Sequence, residues 1–275
     1  MGTLHVVATP IGNLNDLSPR ASEVLRSVSM VAAEDTRVTR KLLELVGSRA
    51  RLVSYHKYTK PSKTDRIIDE LENGSVALVT DAGTPSVSDP GSELVARARA
   101  SGNRVEAVPG PSAVGAALGV SGMAADRYLF LGFLPRRRSD RVKTLEEAAD
   151  EPGTLVAFET PHRLQASLRD ISKVMGQRKI SLCRELTKMH EETFHGTAEE
   201  ALAKFSQPRG EFTLVIEGNN RSIEETSDSA IMELLIRLRD EGFTGRRLVD
   251  QAIEYSSARR RQIYRLSTQL DKQYD

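Results

Sequence analysis

The sequence predicts an α/β protein of two lobes followed by a small helical appendage, and three observations predict it. Short apolar β-type runs alternate with charged amphipathic stretches through the first half. A second set of strands then follows at spacings too tight for parallel crossovers throughout. Finally, a polar run from Asn219 to Ser229 reads as a linker and precedes three further helical segments. The expected divisions are residues 1–120, 121–220 and 228–275.

In the first half the strands are expected at Leu4 to Thr9, Val28 to Ala33, Arg51 to Ser54, Val76 to Thr80 and Arg104 to Val108. The helices between them are expected at Pro19 to Ser27, Val38 to Val46, Lys63 to Glu72 and Ser92 to Ala100, each introduced by Ser, Asp, Thr or Gly. Gly110 to Gly122 closes this half, and the spacing of Gly115 and Gly119 suggests close helix packing. The second set of strands is expected at Tyr128 to Phe133, Thr154 to Phe158, Lys179 to Cys183 and Phe212 to Glu217. Helices near Arg141 to Ala149 and Leu164 to Met175 lie among them. Because Glu191 to Gly196 and the turn Gln207 to Glu211 leave little room for crossovers, this sheet should be partly antiparallel. The appendage should hold helices near Ile231 to Asp240, Gly245 to Glu254 and Ser257 to Leu270.

A chain of 275 residues is long enough for more than one lobe, and 39% hydrophobic with 28% charged residues is an ordinary globular balance. The net charge of +1 conceals 39 lysines and arginines, so any affinity for nucleic acid must come from clusters of them. With no Trp and 5% aromatics, an aromatic-rich binding platform is not expected. The single cysteine, Cys183, rules out an internal disulfide and fits a reducing cytoplasm. Its apolar flank marks a buried strand thiol rather than a nucleophile. Met1 to Pro10 reads as a first strand, not a signal peptide, and no apolar run approaches the roughly 20 residues of a membrane span.

Several chemistries can be struck off. There is no Walker loop, no GxGxxG and no GxSxG. His190 and His195 mimic a zinc helix, but positions i and i+5 lie about 140° apart around a helix, so no metal is expected.

What remains is a set of loops at the carboxyl ends of expected strands, where an open α/β sheet takes its ligand. The first runs Thr9-Pro10-Ile11-Gly12-Asn13-Leu14, and the second is Glu34-Asp35-Thr36-Arg37. The third, Asp81-Ala82-Gly83-Thr84-Pro85-Ser86-Val87-Ser88-Asp89-Pro90-Gly91, delivers an acid and small residues into a tight turn before a helix. The fourth, Val108-Pro109-Gly110-Pro111-Ser112-Ala113, repeats that design. Taken singly, each loop reads equally well as a turn or a helix cap.

Taken together, in this order, the loops resemble those of the tetrapyrrole methylase family (class III methyltransferases). The resemblance is closest to its branch of small-subunit ribosomal RNA methyltransferases. It rests on TPIGNL, AAEDTR, DAGTPSVSDPG, VPGPSA, DRYLFLGFLP, FETPHRL and RELTKMHEETFHG, from residue 4 to about 218, and the helical tail is similar too.

This resemblance implies two α/β lobes and S-adenosylmethionine as cofactor. It further implies 2'-O-methylation of cytidine 1402 in 16S rRNA of the 30S subunit by a cytoplasmic homodimer. By motif it carries cofactor contacts onto Pro10, Asp81, Ala82, Gly83, Val87, Ser112, Ala113 and Leu186, with Glu159 beside them.

A ribose hydroxyl is a poor nucleophile, so a base or a cation stabilising the alkoxide should assist it. The candidates are Asp35, Arg37, Glu159, Arg184 and Glu185, each closing a strand or starting the loop after it. For Arg184 and Glu185, an ion pair between neighbouring elements explains the residues nearly as well. His162 and Arg163 could hold phosphate or cap a helix. For RNA, the best cluster is Arg136, Arg137, Arg138, Arg141 and Lys143, although such runs are often a solvated helix start. Arg246, Arg247 and Arg259 to Arg261 give the tail a second basic surface and a possible RNA-docking role. Three alternatives stay open: a methyltransferase for a corrinoid or another tetrapyrrole, one for a protein residue, and a non-catalytic RNA-binding scaffold.

Overall fold

The computed structural model describes residues 2–219, 228–256 and 260–274. The chain forms two compact units, one reaching to Gly218 and the other starting at Asn219.

The first unit opens with alternating strands and helices: β1 (Thr3–Val7), α1 (Pro19–Ser27), β2 (Met30–Ala33), α2 (Thr36–Val46), β3 (Arg51–Ser54), α3 (Pro61–Asn73), β4 (Val76–Val79), α4 (Ser92–Ala100) and β5 (Arg104–Val108). All five strands are parallel, in the order β3-β2-β4-β1-β5. Alternation along each strand splits its side chains between two cores. Val31, Ala33, Ala77 and Val79 meet Leu25 of α1 and Leu42 and Leu43 of α2. Met30, Ala32, Val76 and Leu78 meet Ile67 and Leu71 of α3 and Leu94 of α4. The sheet is therefore doubly wound. β1 and β4 are neighbours whose helices depart to opposite faces, which opens a crevice beyond their carboxyl ends.

α5 (Ala113–Ser121) follows and leads to β6 (Tyr128–Phe133), α6 (Arg138–Glu147), β7 (Thr154–Glu159), α7 (Pro161–Met175), β8 (Lys179–Arg184), β9 (Glu192–Thr197), α8 (Ala198–Lys204) and β10 (Phe212–Ile216). The second sheet has the order β6-β7-β10-β8-β9. Only β6 and β7 run parallel; the other three pairings are antiparallel. One face packs on α6, α7 and α8 through Leu145, Leu164, Leu168, Ile171 and Ala201. The other receives α5, whose fully buried Ala117 sits with Cys183, Val215, Leu186 and Ile11. The glycine pair of α5 does not mediate this contact. Gly115 and Gly119 are exposed, and a Cβ at Gly119 would meet nothing within 4 Å.

Several helices start two or three residues earlier than their apolar period suggests, because the first turn of a helix is set by caps and proline. Asp35 accepts the Arg37 amide at the start of α2, and α3 and α7 open on Pro61 and Pro161. Residues 192–197, expected only as a stretch too tight for a crossover, form β9. α8 is held by a capping box between Thr197 and Glu200.

The second unit consists of α9 (Asp228–Asp240), α10 (Gly245–Tyr255) and α11 (Arg260–Tyr274), around Ile231, Leu235, Leu248, Ala252, Ile263 and Leu266. Asp228 pairs with Arg265 at 2.6 Å, while Arg246 and Arg247 are exposed. Most of the polar run, residues 220–227, and Arg259 lie outside the described residues, as do the side chains of Arg260 and Arg261. Among the described residues, no helix is long and apolar enough to cross a membrane.

Candidate functional site

The crevice predicted from the strand order is bounded by the four loops of the first sheet and by the facing edge of the second. Thr9 and Gly83 exchange backbone hydrogen bonds of 2.9 and 3.0 Å, which ties the first loop to the third. Gly83 has φ 83°, a conformation that side chains with a Cβ rarely adopt. The Asp35 amide donates to Asp81 Oδ1 at 2.9 Å, binding the second loop to the third, and the Thr84 hydroxyl reaches the Pro111 carbonyl at 3.4 Å. From the opposite side, Thr187 Oγ1 accepts the Asn13 amide at 3.0 Å. Gly12 lies so close that a Cβ there would stand 2.5 Å from Lys188 Cγ.

The half-open cavity measures about 370 Å³, within the range of small-molecule sites. Asp81, Ala82, Gly83, Val87, Ser112, Ala113 and Leu186 line it, together with Glu159. Pro10 is not on the wall, where its neighbour Ile11 stands. Phe133 and Phe158 form an apolar wall, their rings edge-on with centroids 5.4 Å apart. Ser112 Oγ caps α5 by accepting the Gly115 amide at 3.3 Å, and Ala113 and Val114 of the first turn line the cavity.

Three carboxylates converge here: Glu34, Asp81 and Asp89. Burial, then the charges of Glu34 and Asp81, push the Asp89 carboxyl up to about 6. Glu34 is also raised, first by burial and then by Asp81. Neither Glu34 nor Asp89 was singled out among the candidates, although both stand inside the quoted motifs. A loop acid carries no periodic signal, and only the fold reveals which acids meet. Cys183 forms part of the wall from within β8; burial raises its thiol, so it stays protonated and is no nucleophile.

The candidate catalytic residues are placed less favourably. Asp35 caps α2 and pairs with Arg37 at 2.6 Å. Arg37 holds its carboxyl at about 2, which makes Asp35 a weak proton acceptor. Glu159 is fully buried. It pairs with Arg163 at 2.7 Å, accepts the Thr160 amide at 2.7 Å and receives the Ser167 hydroxyl, so both of its oxygens are engaged within the protein. Arg163 also donates to the Leu134 carbonyl at 2.9 Å, so it welds β6, β7 and α7 together rather than holding phosphate. Arg184 bonds the Arg209 carbonyl at 2.8 Å and lies 3.4 Å from Glu192. Glu185 accepts Lys188 at 3.0 Å and the Glu211 amide at 2.9 Å. These two are ion-paired to neighbouring segments.

The basic cluster divides. Arg136 and Arg137 are exposed and, among the described residues, carry no acidic partner. Arg138 is two-thirds exposed and 3.1 Å from Asp170, and Lys143 pairs loosely with Glu147 at 3.8 Å. Arg141 is withdrawn from the RNA-binding set. Its side chain is 5% exposed, locked on Asp170 at 2.6 Å and donating to the carbonyls of Pro135 and Arg136. His195 lies in strand β9. Among the described residues, no group of three or more His, Cys, Asp and Glu could hold a metal ion.

Comparison with known proteins gives this arrangement a context. Residues 3–202 match the family described as Tetrapyrrole (Corrin/Porphyrin) Methylases. The chain is 42% identical to "Ribosomal RNA small subunit methyltransferase I" of Synechocystis sp., over 98% of this chain and 99% of that one. It is 46% identical to the protein of that name from Halalkalibacterium halodurans, over 81% of this chain and 78% of the other. Among solved structures, a diphthine synthase shares the fold, with a TM-score of 0.64 at 16% identity over 79% of this chain and 90% of that one.

Proposed function

Because the chain belongs to the tetrapyrrole methylase family, and aligns along almost its whole length with a small-subunit methyltransferase I, we propose that it methylates a ribose 2'-hydroxyl of 16S rRNA. The nucleotide is the cytidine at position 1402, presented by the 30S subunit to a cytoplasmic homodimer. The observation that carries this reading is the cavity at the β1/β4 switch point, which combines cation-attracting carboxylates, an apolar wall and a helix start in one enclosure.

The cavity suits S-adenosylmethionine on those grounds. Glu34, Asp81 and Asp89 provide a field for its ammonium and sulfonium charges. The start of α5 suits its carboxylate, and the Phe133–Phe158 wall suits its purine. When bound, the cofactor supplies an already activated methyl group.

The protein's share is to align the ribose oxygen with that group and to keep water out. Leu186, Val87 and the two phenylalanines serve the second task. For the hydroxyl proton, Asp89 is the acceptor we favour, a cavity carboxyl raised to about 6 by burial and by the charges of Glu34 and Asp81. Arg136 and Arg137, three and four residues beyond Phe133, hold backbone phosphates at the rim. The exposed Tyr128 and Leu129 on edge strand β6 and Val120 on α5 offer apolar surface for the second copy.

Labelled S-adenosylmethionine, incubated with the protein and either 30S subunits or naked 16S rRNA, tests the reading by nucleoside analysis. Label in 2'-O-methylcytidine is expected. Cofactor binding without RNA label would instead favour a small-molecule acceptor. Asp81→Ala is expected to abolish cofactor binding in a calorimeter; unchanged affinity would displace the site.

A further inference from the structure

The turn that follows β3 has no part in the cavity wall, yet it stands at the same end of the sheet. Ser54 pairs with Ala33 in the parallel register of β2 and β3, so His56 to Lys60 emerge beside Glu34 to Arg37. His56 lies close to the Glu34 carboxyl.

The turn is rigidly built. The Thr59 amide donates to the His56 carbonyl at 2.8 Å, and the His56 amide donates to Thr59 Oγ1 at 2.8 Å. The Tyr58 amide donates to His56 Nδ1 at 3.2 Å, which fixes the ring as acceptor on that nitrogen. These three bonds present Lys57 and Tyr58 at the apex. Tyr58 is 83% exposed, the most exposed aromatic among the described residues, and its ring packs against no other aromatic. Lys57 and Lys60 flank it, both exposed and, among the described residues, without an acidic partner.

A large aromatic side chain held in water by an ordered turn, between two free cations, does nothing for the core. It has the composition of a stacking site for an unpaired base, with phosphate contacts on either side. We propose that the His56–Lys60 turn is an RNA-contact site of the first lobe. In this site Tyr58 stacks on a splayed base next to the target nucleotide, and Lys57 and Lys60 hold its backbone. With Arg136 and Arg137 on the second lobe, the RNA is gripped from both sides of the cavity. This assignment rests on the rRNA reading above.

The test is filter binding of the full-length protein to 16S rRNA at several salt concentrations, with S-adenosylmethionine affinity measured in parallel. Tyr58→Ala should weaken RNA binding about tenfold, and Tyr58→Phe should restore it to within about twofold of wild type. Lys57→Ala with Lys60→Ala should lower the salt dependence by about two phosphate contacts. Cofactor affinity should be unchanged in all three variants, which also shows that they are folded. Wild-type RNA affinity in Tyr58→Ala overturns the proposal while leaving the rRNA reading intact. Equal losses in Tyr58→Ala and Tyr58→Phe overturn the stacking role. A wild-type protein that binds no 16S rRNA overturns the functional reading, and this assignment with it.

Discussion

Replacing Asp170 with Asn removes one charge and almost no volume, so it isolates the ion pair that holds the start of α6. Asp170 is buried, with 4% of its side chain exposed, and its two oxygens serve two arginines. Arg141 Nη2 is 2.6 Å and Nε 2.9 Å from Oδ2, while Arg138 Nε is 3.1 Å from Oδ1. The Arg138 contact is solvent-exposed on the arginine side and contributes at most ~1 kcal/mol. The Arg141 contact is enclosed, and removing its partner leaves a guanidinium charge without compensation, a loss of about 3 kcal/mol or somewhat more. For a unit of this size that corresponds to a fall in Tm of about 6–12 °C. Differential scanning calorimetry of Asp170→Asn, with Arg138→Ala as the exposed control, measures both. A fall below about 2 °C in Asp170→Asn, or equal falls in the two variants, would refute the assignment of Arg141 as an internal strut.

Other expectations follow from the same geometry. The Asp89 carboxyl is raised from 3.8 to about 6, so between those values the folded protein keeps a proton that the unfolded chain releases. This contribution to stability is therefore largest in acid and is lost as pH rises through that window. A cationic cofactor favours the ionised form, so its affinity should rise with pH through 6. Asp89→Asn should flatten that dependence in pH-resolved calorimetry. Gly12→Ala places a Cβ within 3 Å of Lys188 Cγ and Thr187 Oγ1, and should weaken cofactor binding at least about tenfold by pushing the first loop from the 186–188 segment. A crystal structure of that variant with the loop unmoved would count against this. Arg136→Ala with Arg137→Ala should reduce the salt slope of rRNA binding by about two with cofactor affinity intact, which filter binding and calorimetry can separate.

The strand positions and the loops that line the cavity were accessible to sequence reasoning because period and loop chemistry agree. Residues 76 to 79 are apolar on both faces, as a central parallel strand requires, and the acid-and-glycine loop begins two residues later. The misreadings have a common cause. Arg141 looked like its neighbours because a run of cations does not disclose which member faces a carboxylate on another helix; Asp170 lies 29 residues away. Asp35 entered the candidates from its place beside a strand end, and the structure shows it capping the next helix. Gly115 and Gly119 suggested a packed seam, but the buried side of α5 runs through Val114 and Ala117. The meeting of Glu34 with Asp89 depends on the parallel order of β2 and β4, which lie together although β3 separates them in the chain.

α5 starts from a loop of one sheet and spends its buried side on the other, where Ala117 lies in one cluster with Val215, Cys183 and Ile11 of the first loop. The floor of the cavity is thus also the joint between the two halves. A larger side chain at Ala117, about a helical turn away from the Ser112–Ala113 wall, would act as a wedge that changes the width of the whole opening. Affinity for anything bound there is therefore adjustable at a residue that need never touch it.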